Sequence, residues 1–224
     1  SISIKDALIK MLSSPNIASK KWIYQQYDHM IGDSTVVKPG EGVGVIRVFS
    51  GSKFKNFINK IFCKGEKGIA LTTTANPRYC YLDPEKGAMI AVAEAARDVI
   101  SVGAEPVAIT NCLNFGNPED LDVYYQLYYT IEGMKKACTV LNTPVTGGNA
   151  SLYNEGELGS IYPTPVIGMV GLIKDVSKVV KPDFKKDTII ILLGKKTERI
   201  DGSEFAKLFF NKLGNKCPDI DLDY

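Results

Sequence analysis

The stretch that decides the fold runs from Pro106-Val107-Ala108-Ile109-Thr110, an apolar segment typical of a strand, to Thr143-Pro144-Val145-Thr146, a second one. Residues 119–141 lie between them and have the length and spacing of a long helix. The second strand leads directly into Gly147-Gly148-Asn149. We therefore expect a strand, a helix and a strand that ends in a glycine-rich loop.

Further elements extend this unit in both directions. Residues 43–48 and 69–74 read as strands, and residues 89–102 read as a buried helix because their apolar side chains fall at helical spacing. Downstream, residues 166–173 form another strand, with a hairpin expected between Ser151 and that strand. The strands are separated by helices of unequal length. This order predicts an α+β fold, a two-layer α/β sandwich, rather than a doubly wound sheet.

The chain divides into three parts. A helical lead-in covers residues 1–38, with two short helices separated at Ser14-Pro15-Asn16. The sandwich covers residues 39–178. After a charged linker, residues 182–224 are expected to open a second domain, whose first strand is predicted at residues 188–193. About 40 residues are few for an independent core, so we expect this second domain to be truncated.

Composition excludes several classes of function. Of 224 residues, 45% are hydrophobic and 23% are charged, as in globular domains. The 27 basic and 25 acidic residues are interspersed, so no nucleic acid and no membrane surface is expected as a partner. No apolar run is long enough for a membrane span, and the first residues lack the order of a signal peptide, so we expect a cytoplasmic protein. Buried thiols, rather than disulfides or a zinc site, are expected at the scattered cysteines, which are Cys63, Cys80, Cys112, Cys138 and Cys217.

A glycine-rich segment carries the most informative local signal for chemistry. It reads Gly147-Gly148-Asn149-Ala150-Ser151. Paired glycines let backbone N–H groups approach phosphate oxygens, the Asn149 amide oxygen can bind magnesium, and the Ser151 hydroxyl can hold a substrate oxygen. A plain turn is the competing interpretation. The sequence has neither a P-loop nor a Gly-x-Gly-x-x-Gly run that opens a helix, which disfavours the standard nucleotide folds.

Two other polar segments are candidates with equally plain alternatives. Residues 111–119 lie where a strand ends and a helix begins, a common place for ligands, but Asn117 can instead cap the helix. Residues 72–79 include Arg78, which could bind phosphate, although a solvated turn is the alternative. The only histidine, His29, is interpreted as a capping or surface residue at a helix end rather than a general base.

Several stretches match one family of purine-biosynthesis enzymes in order and at similar spacing. They are Ser13-Ser14-Pro15-Asn16-Ile17-Ala18-Ser19-Lys20, Gln26-Tyr27-Asp28, Asn76-Pro77-Arg78-Tyr79, Leu82-Asp83-Pro84, Ala93-Glu94-Ala95-Ala96-Arg97, Cys112-Leu113-Asn114-Phe115-Gly116-Asn117-Pro118-Glu119, Gly148-Asn149, Ser151-Leu152-Tyr153-Asn154-Glu155, Tyr162-Pro163-Thr164-Pro165 and Gly202-Ser203-Glu204. Together they resemble the second half of the formylglycinamidine ribonucleotide synthases, also called phosphoribosylformylglycinamidine synthases. The resemblance covers residues 12–205.

The resemblance implies a fold, an activity and partners. The fold would be that of the aminoimidazole ribonucleotide synthase N-terminal domain, with the start of its C-terminal domain. In the family, ATP phosphorylates the amide oxygen of formylglycinamide ribonucleotide, and ammonia from glutamine displaces phosphate to give the amidine. The implied cofactors are ATP and Mg²⁺. The implied partners are the first half of the synthase, a glutaminase subunit and a small bridging subunit, and a second copy of this chain could pair through the sheet.

The resemblance also implies roles for single residues. The family's ligand positions fall on Asn111 and Gly148 for ATP, Asn149 for magnesium and Ser151 for substrate. Asn111, Gly42 and Thr74 all stand where the family commonly has Asp. Because magnesium prefers several charged oxygens, we expect a structural pseudo-site at those positions rather than independent binding of magnesium nucleotide. The family's essential histidines lie in the first half, so no catalytic residue is expected in this chain, and the chain alone is expected to be inactive.

Three interpretations stay open at this point. The chain supplies one wall of a synthase active site, or it is a degenerate scaffold half that pairs with the first half, and both can hold together. The third interpretation is another ligase or kinase of the superfamily, such as aminoimidazole ribonucleotide synthase, selenophosphate synthetase or thiamine-phosphate kinase. It is disfavoured because those families lack the runs at residues 14–20 and 112–119.

Overall fold

The computed structural model describes residues 2–27, 29–30, 32, 34–48, 66–194 and 199–223. In chain order, their helices and strands are α1 Ile4–Leu12, α2 Lys21–Tyr24, β1 Thr35–Val37, β2 Gly44–Arg47, β3 Gly68–Thr74, α3 Pro77–Leu82, α4 Pro84–Ser101, β4 Glu105–Asn114, α5 Leu121–Leu141, β5 Val145–Ser151, β6 Glu155–Gly156, β7 Gly159–Ser160, β8 Thr164–Ile173 and α6 Glu204–Phe210. A short 3₁₀ helix, Val176–Lys178, follows β8.

One mixed sheet organises the chain. Its six strands lie in the order β1-β2-β3-β8-β4-β5, and β6 and β7 form a separate two-stranded hairpin. β4 and β5 are parallel, and every other neighbouring pair in the sheet is antiparallel. Strand β8 shows the layering, because Pro165, Ile167 and Met169 are buried while Val166 and Val170, which point to the other face, are half-buried. The predicted α+β sandwich is therefore confirmed.

The helix layer covers one face of the sheet. α4 contributes Ala91, Val92, Ala95 and Val99, all fully buried, to the core that it shares with β3, β4 and β8. α5 packs on α4 at Gly133, where a Cβ would overlap the backbone carbonyl of Glu85. This close approach of two helices requires a residue without a side chain.

Helix α4 begins earlier than the apolar spacing predicts. The expected range was residues 89–102, but the Asp83 side chain accepts a hydrogen bond from Lys86 N at 3.0 Å and Pro84 occupies the first turn. These two features start the helix five residues before Met89. α5 begins at Leu121, two residues later than predicted, because Asp120 rather than Asn117 is its N-cap.

Two strand predictions need correction. β5 continues through residues 147–151, which were expected to be a loop, because its backbone pairs with β4 along this whole length. The strand predicted at residues 188–193 is wrong. That stretch has no regular secondary structure, and Ile189 to Leu193 are between 71% and 89% exposed. A strand needs a neighbour for its backbone hydrogen bonds, and residues 188–193 pair with no strand in the described ranges.

The last described segment packs back on the lead-in and on α3. The Glu204 carboxylate accepts hydrogen bonds from Ser14 Oγ at 2.5 Å, Asn16 Nδ2 at 2.9 Å and an Arg78 guanidinium nitrogen at 2.8 Å. Cys217 is buried, and Lys86 binds Asp219 at 2.6 Å. One carboxylate thus joins three segments that are far apart in sequence. The predicted division into residues 1–38, 39–178 and 182–224 stays a prediction.

Candidate functional site

The candidate residues lie at one edge of the sheet, where β4 and β5 run in parallel. The register pairs Asn111 with Gly148, Cys112 with Asn149, and Asn114 with Ser151. All four predicted site residues are therefore within two neighbouring strands, although 37 positions separate Asn111 from Gly148 in sequence. β5 is the edge strand of the sheet, and its residues from Val145 to Ala150 are exposed. A ligand can reach this edge from solvent.

Gly148 and Asn111 approach each other too closely for any side chain at residue 148. A Cβ on Gly148 would overlap both the Asn111 side-chain oxygen and the Asn111 carbonyl oxygen. By contrast, a Cβ on Gly147 would meet no atom within 4 Å. Only the second glycine of the pair is thus required by packing in this structure.

Strand alternation divides the four residues between the two faces of the sheet. Asn111 lies between Ile109 and Leu113, which are buried on the helix-facing side. Asn149 and Ser151 pair laterally with Cys112 and Asn114, so they share the opposite side, which we call the outer face. Asn111 and Gly148 are therefore neighbours on the helix-facing side, whereas Asn149 and Ser151 lie on the outer face of the same edge.

Ser151 is held by a network that the sequence predictions did not include. Asn154 Nδ2 donates to Ser151 O at 2.9 Å and to Phe115 O at 3.0 Å, and Ser151 Oγ donates to Asn154 Oδ1 at 3.2 Å. The backbone N–H groups of Tyr153 and Asn154 donate to the carbonyls of Gly116 and Phe115. Phe115 is 1% exposed, so the turn after β5 is fastened to the core. An Asn three residues after a candidate Ser, in Ser-Leu-Tyr-Asn, is the one sequence signal for this role.

The edge carries no charge of its own. Asn111, Gly148, Asn149 and Ser151 are all neutral, and the described residues include no group of three or more His, Cys, Asp or Glu placed to hold a metal ion. Asn149 offers a single amide oxygen, whereas magnesium is usually held by carboxylates together with water or phosphate oxygens. The described residues therefore do not fit an independent magnesium site.

The positions at which the family commonly has Asp are used differently here. Thr74 is 8% exposed and donates its hydroxyl to Ala91 O at 2.8 Å, so it fastens β3 to α4. Gly42 lies in an exposed turn with a φ of +89°. Neither residue supplies an oxygen from its side chain to the β4–β5 edge.

The remaining candidates from the sequence have structural partners. Arg78 pairs with Glu204, and Asn76 caps α3 by accepting from Tyr79 N at 3.2 Å. Asn117 Oδ1 accepts from Glu119 N at 2.9 Å in the turn before α5. His29 Nδ1 lies 3.0 Å from Tyr27 O in the lead-in. In the described ranges, no helix is long and apolar enough to cross a membrane.

The mixed sheet, its helix layer and its Gly-Asn-x-Ser edge strand define an α+β sandwich domain rather than a P-loop or dinucleotide fold. A family model described as "AIR synthase related protein, N-terminal domain" matches residues 56–173. The chain belongs to this family.

Curated relatives share much more of the chain. The phosphoribosylformylglycinamidine synthase subunit PurL of Thermoanaerobacter pseudethanolicus is 52% identical over 218 residues, which cover 97% of this chain and 28% of the relative. The PurL subunit of Moorella thermoacetica is 48% identical over 96% of this chain and 28% of its own length. The chain thus spans between a quarter and a third of these relatives, and the predicted resemblance to their family is confirmed.

Solved structures agree with this relationship. The structure of PurLQS from Thermotoga maritima is 39% identical with a TM-score of 0.62, covering 74% of this chain and 25% of that chain. T. maritima PurL complexed with ATP is 37% identical with a TM-score of 0.60, over 74% of this chain and 25% of that chain. T. maritima PurL complexed with FGAR is 39% identical with a TM-score of 0.59, over 74% and 24%.

Proposed function

We propose that the chain forms part of a phosphoribosylformylglycinamidine synthase. In this role it supplies one wall of the site where ATP activates formylglycinamide ribonucleotide for attack by ammonia. The observation that carries the proposal is the edge formed by Asn111, Gly148, Asn149 and Ser151. Over 97% of its own length, the chain that contains this edge is 52% identical to a PurL subunit. The T. maritima PurL complexes with ATP and with FGAR support both ligands.

Each residue at the edge has a chemical role in this proposal. Gly148 has no side chain, so β5 can pair closely with Asn111 and hold the Asn111 amide and the β5 backbone at the edge where a nucleotide phosphate would lie. The Asn111 and Asn149 amides have no hydrogen-bond partner within the described residues, so both are available to ligand atoms. Ser151 holds the substrate. Magnesium, which the family implies, needs further carboxylates or phosphates, because the described residues at this edge offer only neutral oxygens.

The proposal is tested in the complete synthase that contains this chain, together with its glutaminase. Gly148→Ala should lower kcat/KM for ATP by roughly tenfold or more, because the new Cβ displaces Asn111 or the edge strand. Gly147→Ala is the matched control, since its Cβ enters open space, and its kcat/KM should stay within about twofold of the wild-type value. Equal effects of the two substitutions, or no ATP-dependent amidine formation by the wild-type assembly, would contradict the proposal.

A calorimetric titration tests the expected pseudo-site. Mg²⁺-ADP titrated into this chain alone should give no saturable heat, because Asn111, Gly42 and Thr74 supply no carboxylate. The positive control is the complete synthase under the same conditions. Tight stoichiometric binding to the chain alone would show that the nucleotide needs no second half.

A second role, as a scaffold half, is favoured by the outer face of the sheet. Ile46, Leu71 and Leu172 are 39%, 44% and 50% exposed on this face, and Ile69 and Val170, which pair with them, are also apolar. An exposed apolar sheet face of this kind is typical of an interface. We propose that it pairs with the homologous first half of the synthase. A second copy of this chain can occupy the same face when the first half is absent.

Sedimentation of the chain with and without a first half tests this pairing. Leu71→Glu should abolish both the complex with the first half and any self-association, because it places a charge in the apolar face. Leu158→Glu is the control, since Leu158 is fully exposed in the β6–β7 turn. A complex that survives Leu71→Glu would place the interface elsewhere. The glutaminase and bridging subunits, and a cytoplasmic location, follow from the proposed synthase role.

A further inference from the structure

The Ser151 hydroxyl has one hydrogen to donate and two lone pairs that accept. The direction in which it donates decides which chemical group of a ligand it can bind. Among the residues that the structure describes, the side chain that hydrogen-bonds with the Ser151 hydroxyl is that of Asn154. The orientation of that amide therefore determines what Ser151 offers to a ligand.

The amide orientation of Asn154 follows from its carbonyl partners. Its nitrogen lies 2.9 Å from Ser151 O and 3.0 Å from Phe115 O, and backbone carbonyl oxygens only accept. The atom facing them must therefore be the NH₂ group, which commits its two hydrogens. The other amide atom, Oδ1, carries no hydrogen and can only accept.

The Ser151 hydroxyl hydrogen is consequently committed to Asn154. Ser151 Oγ lies 3.2 Å from Asn154 Oδ1, to which it donates. Asn154 Nδ2 is also 3.1 Å from Ser151 Oγ. One amide hydrogen can therefore be shared between Ser151 O and Ser151 Oγ, and it then occupies one of the two lone pairs on Ser151 Oγ. What remains free on Ser151 Oγ is a lone pair. It can accept a hydrogen bond but has none to donate.

We infer that Asn154 is a positioning and specificity-determining residue, which makes Ser151 an acceptor for a hydrogen-bond donor of the ligand. The matching donor is a sugar hydroxyl or an amide N–H, and a phosphate or carboxylate oxygen is a poor partner at Ser151. This inference rests on the proposed function for the identity of the ligand, a ribonucleotide with hydroxyl and amide groups. The hydrogen-bond direction itself depends only on this chain.

The direction is tested first on the chain alone, by NMR exchange of side-chain amides in a uniformly ¹⁵N-labelled sample. Both Nδ2 hydrogens of Asn154 should exchange slowly, whereas those of Asn149, which has no partner within the described residues, should exchange as in a free amide. Equal exchange at the two residues would overturn the inference. Because no ligand is present, this measurement does not depend on the proposed function.

The specificity is tested in the complete synthase with formylglycinamide ribonucleotide as the probe. Ser151→Ala and Asn154→Ala should each raise KM for this substrate by about tenfold, the loss of one hydrogen bond, with kcat and the KM for ATP nearly unchanged. The double substitution should be no worse than either single one, because both remove the same contact. Asn117→Ala removes only the hydrogen bond that Glu119 N donates to the Asn117 side chain. It is the control for a general loss of stability in this region.

A conservative variant tests whether the amide of Asn154 is the group that matters. Asn154→Asp keeps the acceptor for Ser151 but faces two carbonyls with a carboxylate, so it should raise KM. Additive effects of Ser151→Ala and Asn154→Ala would overturn the inference. If the wild-type synthase does not use this substrate, the proposed function is wrong. The amide exchange measurement still tests the hydrogen-bond direction, because it needs no ligand.

Discussion

Gly148 is paired with Asn111 across the β4–β5 ladder, so closely that a Cβ on Gly148 would overlap two oxygens of Asn111. The overlap involves a backbone carbonyl as well as a side chain, so a rotamer change of Asn111 cannot relieve it completely. Gly148 is therefore required for the edge strand to pair in this register, apart from any contact it makes with a ligand.

Gly148→Ala should lower the free energy of unfolding of the chain by about 1–3 kcal/mol, the usual cost of overpacking. Gly147→Ala should change it by less than about 1 kcal/mol, because a Cβ there meets no atom within 4 Å. Urea unfolding of both variants measures the difference. A Gly148→Ala variant as stable as Gly147→Ala would mean that the strand shifts without cost.

Restoring the family's acid at Thr74 should destabilise the chain. Thr74 is buried and donates to Ala91 O, whereas an aspartate there would place a carboxylate against that carbonyl. Thr74→Asp should cost about 3 kcal/mol or more in unfolding free energy at neutral pH. Thr73→Asp on the same strand is the control, because Thr73 is exposed, and it should cost less than about 1 kcal/mol. Equal melting temperatures for the two variants would contradict this account of Thr74.

The Glu204 cluster predicts a dependence of stability on acid pH. Hydrogen bonds from Ser14, then Asn16 and Arg78, lower the pKa of Glu204 from its ordinary 4.5 to about 2. A carboxyl group with a lowered pKa stabilises the fold at pH values above 4.5, and that contribution is lost as the pH falls from 4.5 towards 2. Thermal melts of the wild-type chain should therefore lose stability through this range, and Glu204→Gln should reduce that loss.

At neutral pH, Glu204→Gln should lower the unfolding free energy by about 1–3 kcal/mol, because its side chain is 12% exposed and makes hydrogen bonds with charge. Asp219→Asn is the matched control. Asp219 pairs with Lys86 but is 66% exposed, so Asp219→Asn should lower the unfolding free energy by clearly less than Glu204→Gln does. If both variants lose the same amount, the Glu204 cluster contributes no more than a surface ion pair.

The cysteines should differ sharply in reactivity. Burial raises the pKa of Cys80 and the pKa of Cys217 to about 12. The next cause is nearby Cys217 for Cys80 and nearby Asp83 for Cys217. Burial also raises the pKa of Cys138. Because the thiolate is the reactive form, alkylation of Cys80 and Cys217 at pH 8 should be roughly 100-fold slower than that of the half-buried Cys112, and alkylation of Cys138 should also be slower.

Timed alkylation followed by peptide mass spectrometry measures each thiol separately. Cys63 lies outside the described residues, and its peptide is followed only to account for total label. Guanidinium-unfolded chain is the control, in which the described cysteines should react at similar rates. Fast native labelling of Cys80 or Cys217 would mean that the segment around Cys217 leaves α3 and α4 readily.

Local sequence features predicted the elements that depend on neighbours in the chain. Apolar spacing located α4 and α5, because helix hydrogen bonds are local and a buried helix face repeats at helical spacing. The candidate residues at the edge came from motif resemblance. Asp83 and Asp120 shifted the helix starts by a few residues, since cap geometry depends on which of several neighbouring polar side chains reaches the backbone.

Pairing between distant segments was decided only by the tertiary structure. Residues 147–151 look like a loop by composition but form a strand because β4 supplies the backbone partners, and residues 188–193 look like a strand but pair with no described strand. The sequence by itself determined the sandwich and the family, and it predicted ligand roles for Gly148, Asn149 and Ser151. The fold decided the packing of Asn111 against Gly148 and the hydrogen bonds between Asn154 and Ser151. Backbone ladders and side-chain hydrogen bonds form between whichever groups the fold brings together.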